Sequence, residues 1–326
     1  MPYSNYLKPI YGFAVLLALI KLALAVGAPG GVDINVYWNE SVAIDYSNSR
    51  YFREPVSWEI VRWLGAALKR EDFLIGFTIV ILGVSVARLG VLSGLLLYSS
   101  FLSPFGVMLE FNILRQGIAT LFLAMFMISL ANNRRLSIVV LGILALLSHN
   151  SAFIVIAFVV LFTYLERMTK ETRLFVIGSA LAVIAVFQFV GGFEMVLGNQ
   201  ADSFRADAGG AFESNIYLAV ALMFCVFLYF FTQQTKWRPI ALGLASASLF
   251  GVLIAFVVGL DPWVYGRIAI SNVVLCQFLL FFDSFELGRL QGRRAMGLVA
   301  IAVTNVALIA LHPGASDMIS ATEYLG

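Results

Sequence analysis

Apolar runs long enough to cross a bilayer recur from one end of this 326-residue chain to the other. A helix of about 20 apolar residues covers a hydrocarbon core about 30 Å thick. In that medium only helices and closed barrels satisfy their own backbone groups. The runs are continuous rather than alternating, which excludes a barrel. Only 12% of the residues are charged and 61% are hydrophobic, against about a quarter charged in soluble domains. The sequence therefore predicts an all-α, polytopic transmembrane helical bundle, a single integral membrane domain over 1–326.

Eleven spans are predicted, at 9–27, 73–88, 90–108, 114–131, 136–148, 151–166, 174–190, 216–232, 239–258, 268–283 and 297–311. The first apolar run, 10–26, has no small-residue cleavage site and is long enough to span, so it reads as a span and not as a leader. Segment 56–68 is apolar on one face and carries Glu59 and Arg62 on the other. It is too short to span and reads as an interfacial or re-entrant helix, started by Pro55. The runs 136–147 and 152–165 are also short, and the polar turn Ser148-His149-Asn150-Ser151 lies between them. Twelve helical residues cover about 18 Å. Either flanking polar residues join these spans, or the turn dips into the membrane where protein or water surrounds it.

Basic clusters fall at alternate loops: Arg88, Arg134-Arg135, Arg167/Lys170/Arg173, Lys236/Arg238 and Arg289/Arg293/Arg294. The positive-inside rule places these loops and the N-terminus in the cytoplasm. The tail from His312 then lies outside, as do loops of about 28–57, 191–215 and 259–267. The outer face is acidic overall. Its eight basic residues therefore stand out: Arg50, Arg53, Arg62, Lys69, Arg70, Arg115, Arg205 and Arg267.

Arg115 sits at the head of an apolar run, FNILRQGIATLFLAMF from Phe111 to Phe126. A guanidinium costs roughly 2.5–3.5 kcal/mol at the centre of a bilayer, so it calls for compensation. Asn112, Arg115 and Gln116 share one helical face through i+3 and i+4 spacing. A guanidinium fork suits phosphate oxygens, which makes this a candidate anion site. Snorkelling to the interface, or an ion pair with Glu110, would also account for the arginine.

His149, in its polar turn, has a side chain suited to proton transfer or to a hydrogen bond with substrate; a structural bond to a neighbouring carbonyl is the alternative. Asp33, Glu54 and Glu59 are outer carboxylates near the short helix, and one of them could deprotonate an attacking hydroxyl. A solvated loop acid is the alternative for each. Arg267 opens the tenth span and offers a second phosphate contact or an interfacial anchor. Tyr37, Trp38, Trp58, Trp63, Trp263 and Tyr265 suit stacking on sugars or an aromatic belt. Lys21 is mid-span and reads as structural or snorkelling; Cys225 and Cys276 read as packing residues. The chain has no Gly-rich phosphate loop, no HExxH and no Cys/His ligand pattern, which argues against an ATP-driven pump and a zinc enzyme.

Taken together, these residues resemble a family. Asp33-x-x-x-Tyr37, Glu54-Pro55 opening a short helix, Arg115-Gln116-Gly117-Ile118-Ala119, His149-Asn150-Ser151-Ala152 and Arg267 follow one another over roughly 33–270. The order is similar to that of the EpsG-like group of Wzy-type bacterial polysaccharide polymerases. Where that group more often has Glu-Arg, this chain has Gly266-Arg267. The resemblance implies a glycosyltransferase of the bacterial inner membrane working on its periplasmic side. Donor and acceptor would be oligosaccharide repeat units on undecaprenyl diphosphate. The growing chain would pass to the sugar of a fresh unit.

On this reading no cofactor, metal or nucleic acid takes part. Membrane lipids, a chain-length regulator and a flippase are the further candidate partners. Arg115 and Arg267 would bind the donor diphosphate, with Arg205 or Arg53 as a third contact and Gln116 and Asn112 positioning it. Glu54 or His149 would be the base, and Asp33 and Tyr37 would shape the acceptor site. A transporter of lipid-linked sugars should show two similar halves or matched broken helices, and neither is visible. A ligase or acyltransferase that acts once remains open. The topology makes a direct prediction: cysteines placed at Asn133 and Gly209 should label from opposite faces of the membrane. Labelling of both from outside would overturn the order of spans.

Overall fold

The computed structural model describes residues 12, 14–23, 32–41, 44, 54–103, 105–106, 109, 114–166, 168–169, 211–232, 234–258 and 262–286. Eleven α-helices lie in these residues: α1 Ala14–Ala23, α2 Val32–Ser41, α3 Pro55–Ala67, α4 Phe73–Leu89, α5 Val91–Ser100, α6 Leu114–Ala131, α7 Arg135–Ser148, α8 Ala152–Leu165, α9 Ala211–Phe231, α10 Arg238–Val258 and α11 Trp263–Glu286. No strand occurs among the described residues. Five stretches are long and apolar enough to cross a membrane: Arg70–Leu89, Leu114–Ala131, Ser214–Phe231, Thr235–Phe256 and Val264–Asp283. The chain is thus a helical membrane protein. The predicted spans 174–190 and 297–311 lie outside the described residues.

Burial sorts these five into a centre and a rim. Of the apolar stretch in α6, 89% is buried within the protein, and of that in α11, 83%; the stretches in α4 and α9 are only 33% buried. α6 and α11 pack on each other, so the two helices carrying Arg115 and Arg267 form the middle of the bundle. α9 and α10 pack along α11, and α8 packs along α10. Close approach of the last pair depends on Gly243, where a Cβ would lie 2.6 Å from Val159 Cα. Gly90, at φ 83°, lets the chain reverse from α4 into α5.

Three predicted boundaries change. Run 90–108 is not one straight span: α5 ends at Ser100 and residues 101–103 turn. Pro104 lacks the N–H that a continuing helix needs and disfavours helical backbone at Ser103, and serine side chains take up backbone groups in the turn. Ser100 Oγ donates to Leu97 O at 2.6 Å, Ser103 Oγ donates to Ser100 O at 3.1 Å, and Gly106 N donates to Ser103 Oγ at 3.0 Å. The segment 28–57, predicted as an outer loop, contains α2, which packs against α3 and ends where Ser41 Oγ donates to Trp38 O at 2.6 Å. The segment 259–267 is likewise shortened, because α11 starts at Trp263 and takes Arg267 into its second turn.

The short amphipathic helix appears as α3, with Pro55 in its first turn. Glu59 and Arg62 pair on its exposed face at 2.7 Å, while Ser57, Trp58, Val61 and Leu64 turn inward. α7 and α8 have 14 residues each, about 21 Å of rise. Both are therefore shorter than the hydrocarbon core, and their shared turn is drawn to α3. Ser57 Oγ donates to Ser148 O at 2.8 Å across that junction. Lys21 is buried and does not snorkel. Its ammonium donates to Tyr98 O at 3.1 Å and lies 3.7 Å from the centre of the Tyr98 ring. Cys225 and Cys276 are free and buried, with their sulfurs 3.6 Å apart.

Candidate functional site

The start of α6, the start of α3, α2, the α7–α8 turn and the start of α11 converge on one cluster. Arg115, in the first turn of α6, is its hub. Arg115 Nη1 donates to Glu54 Oε2 in a direct ion pair. Glu54 stands just before Pro55, and its side chain is 6% exposed; that of Arg115 is 22% exposed. The guanidinium also donates from Nε to Tyr37 Oη at 3.3 Å. It lies 4.9 Å from the centre of the buried Trp58 ring, within reach of a cation–π attraction. Tyr37 and Trp58 pack on each other with ring centres 5.7 Å apart. The compensation that the sequence demanded for Arg115 is thus a carboxylate, a phenol and an indole face. Glu110 lies outside the described residues.

Glu54 also reaches the α7–α8 turn. Its Oε1 accepts the backbone N–H of Asn150 at 3.2 Å and lies 3.9 Å from His149 Nε2. On the other side of that ring, His149 Nδ1 accepts the backbone N–H of Ser151 at 3.1 Å, with Ser151 Oγ at 2.8 Å. A backbone N–H can only donate. Nδ1 is therefore the unprotonated nitrogen, and Nε2 carries the hydrogen of the neutral ring. His149 lies in the turn, outside both flanking helices. Burial holds its pKa down to about 4, and the nearby charges of Arg115 and Arg267 act in the same direction, against Glu54. With its one lone pair engaged, the ring suits hydrogen-bond donation from Nε2 better than uptake of a proton.

Arg267 stands in the second turn of α11, half-buried. Among the described residues its guanidinium makes no hydrogen bond or ion pair. Glu54 balances one arginine and His149 is neutral, so this set keeps one positive charge over. Arg115 has five N–H donors; two are used by Glu54 and Tyr37, and three are uncommitted among the described residues. The arrangement can take an anion with these donors and with Arg267, at a partly buried position where such contacts gain strength.

Gln116 behaves differently from its neighbour. It is 1% exposed, and its Nε2 donates to Arg267 O and, at 2.7 Å, to Ser271 Oγ. It faces α11 rather than the open side of the cluster. The structure therefore brings together Glu54, Arg115, Tyr37 and His149, with Arg267 close enough to act on the imidazole. Asp33 belongs to α2, but its side chain lies outside the described residues, as do Asn112, Arg53 and Arg205. Among the described residues no group of acidic, histidine and cysteine side chains is arranged to hold a metal. Ser57 and the Asn150 N–H enter the cluster without having been singled out for it, and Trp58, expected to stack on sugars or join an aromatic belt, packs on the guanidinium. Helical spacing from Glu54 and the adjacency of Asn150 to His149 are the signals that pointed to them.

The family model described as EpsG family matches residues 73–313. That range includes Arg115, Gln116, His149 and Arg267, and begins after Tyr37 and Glu54. No curated protein and no solved structure matches the chain.

The buried neutral His149 makes stability depend on pH with a definite sign. Its pKa in the fold, about 4, lies below the ordinary 6.5. Its contribution is complete above pH 6.5 and is lost as pH falls towards 4, because the unfolded chain takes up the proton first. Thermal unfolding of wild type and His149→Gln should therefore differ by a margin that shrinks between pH 6.5 and 4, by on the order of 3 kcal/mol at the limit. A margin that does not change over this window would contradict the buried neutral ring.

Proposed function

The chain belongs to the EpsG family, and from that premise we propose that it is a membrane-embedded polysaccharide polymerase. On this reading it joins oligosaccharide repeat units carried on undecaprenyl diphosphate, at the periplasmic face of the bacterial inner membrane. The observation that carries the proposal is the excess positive charge of Arg115 and Arg267 over Glu54, set on the two central helices of the bundle.

The reaction would run as one glycosyl transfer. The acceptor sugar's hydroxyl oxygen attacks the anomeric carbon of the donor. The carbon–oxygen bond to the diphosphate breaks, and the lipid diphosphate leaves with the electron pair. Negative charge gathers on the leaving group, where preorganised guanidinium donors gain most. Arg267 and the uncommitted donors of Arg115 would bind it. Glu54 would accept the hydroxyl proton. Its oxygens accept from Asn150 and Arg115, and a carboxylate has about four acceptor positions. His149 would donate from Nε2 to a substrate oxygen. Tyr37 and Asp33 would shape the acceptor side, and Asn112, Arg205 and Arg53 remain candidate further contacts. A chain-length regulator and a flippase are the proposed protein partners.

Purified protein in detergent, given the lipid-linked oligosaccharide without a gradient, should yield a ladder of product lengths. A single added unit would point to a ligase, and no reaction without a gradient to a transporter. Arg115→Lys keeps the charge and loses the fork. It should lower kcat/KM by about a hundredfold, close to 2.7 kcal/mol. A folded Arg115→Lys variant that polymerises at the normal rate would overturn Arg115's role in binding the diphosphate.

A further inference from the structure

Arg115 and Gln116 are consecutive, so their side chains leave α6 about 100° apart. One reaches the Glu54 side of the cluster and the other reaches α11. Gln116 binds the backbone carbonyl of Arg267 itself. Its second N–H goes to Ser271 Oγ at 2.7 Å, one turn further along the same helix. Thr120, one turn below Gln116, closes the arrangement. Its hydroxyl lies 2.8 Å from Gln116 O and 3.0 Å from Ser271 Oγ. All three side chains are buried.

The amide is oriented at a cost. Gln116 Oε1 is buried with no hydrogen-bond partner among the described residues, and an unsatisfied buried acceptor is unfavourable. Turning the amide over would set that oxygen against the Arg267 carbonyl. The orphaned oxygen is therefore the consequence of using both N–H groups on α11. Gln116 is too buried to touch a substrate, so any effect it has passes through Arg267.

We infer that Gln116, with Ser271 and Thr120, is a positioning device that ties the backbone of Arg267 to the helix carrying Arg115 and thereby fits the site to two linked phosphates rather than one. Arg115 is anchored by Glu54, which belongs to the other side of the cluster. The Arg267 guanidinium makes no hydrogen bond or ion pair of its own among the described residues, so its place relative to Arg115 depends on where its backbone is held. The hydrogen-bonded tie holds that backbone at the Arg267 carbonyl itself. This inference rests on the reading of the site as a diphosphate clamp.

The test uses the full chain purified in detergent, titrated calorimetrically with inorganic pyrophosphate and with inorganic phosphate. Wild type should bind pyrophosphate at least about tenfold more tightly. Ser271→Ala and Gln116→Leu should bring the two affinities to within about threefold of each other, and Ser271→Thr, which keeps the hydroxyl, should restore the preference. If Gln116→Leu does not fold, Ser271→Ala and Thr120→Val decide the matter. Folded variants that keep the wild-type ratio overturn the inference and leave the diphosphate reading standing. An equal loss of affinity for both anions also overturns it, since general loosening would produce that result. A wild type with no preference for pyrophosphate removes the diphosphate reading and the inference together.

Discussion

The site depends on the pairing of Glu54 with Arg115. A guanidinium near the end of an apolar helix, and a carboxylate almost fully buried, are each unfavourable alone. Together they join the start of α3 to the start of α6. The carboxylate's other oxygen takes the Asn150 N–H and so draws in the α7–α8 turn. The guanidinium's other contacts draw in Tyr37 from α2 and Trp58 from α3. Four segments far apart in the chain meet because one ion pair has to be satisfied on every side. Its packing against Trp58 and Tyr37 leaves the Arg115 side chain 22% exposed, and that shielding would strengthen its hold on an anion.

α6 acts as the spine of this arrangement because it is buried along nearly its whole length. Consecutive residues on it face different partners. Arg115 serves the α2, α3 and turn side, and Gln116 serves α11. The short helices α7 and α8 matter for a related reason. Neither covers a full hydrocarbon thickness, so the polar turn between them is set against protein. His149 is held there neutral, with its protonated nitrogen towards Glu54. The cluster thus keeps a fixed pattern of donors and one acceptor before any ligand arrives, the condition under which electrostatic stabilisation of a transition state is most effective.

Much of this was legible in the sequence. Continuous apolar runs announce helices in a membrane, and a guanidinium within one announces a need for compensation. Glu54, Tyr37, His149 and Arg267 stood out because polar residues are conspicuous among apolar ones. What could not be read is which of them pair. Glu54 and Arg115 are 61 residues apart, and only the packing of α3 on α6 joins them. Gln116 looked like a ligand because i+3 and i+4 spacing from Asn112 put it on one face with Arg115, yet consecutive residues leave a helix about 100° apart and Gln116 turns to α11. Ser271 and Thr120 lie four residues after Arg267 and Gln116, so helical spacing could have found them. Small hydroxyl residues are common in membrane helices, however, and that spacing alone marks many others. The break after α5 did have a signal in Pro104, a residue that disfavours helix just before it, but the apolar run continues past it and so read as one span.

The central claim is that Glu54 and Arg115 act as one unit, and a double-mutant cycle tests it most directly. Thermal unfolding is measured for wild type, Glu54→Gln, Arg115→Gln and the double variant. Each single change leaves a buried charge unpaired, at a cost of about 3–5 kcal/mol. The account predicts that the double variant is no less stable than either single one. Losses that simply add would contradict it and would make the pairing incidental to the fold.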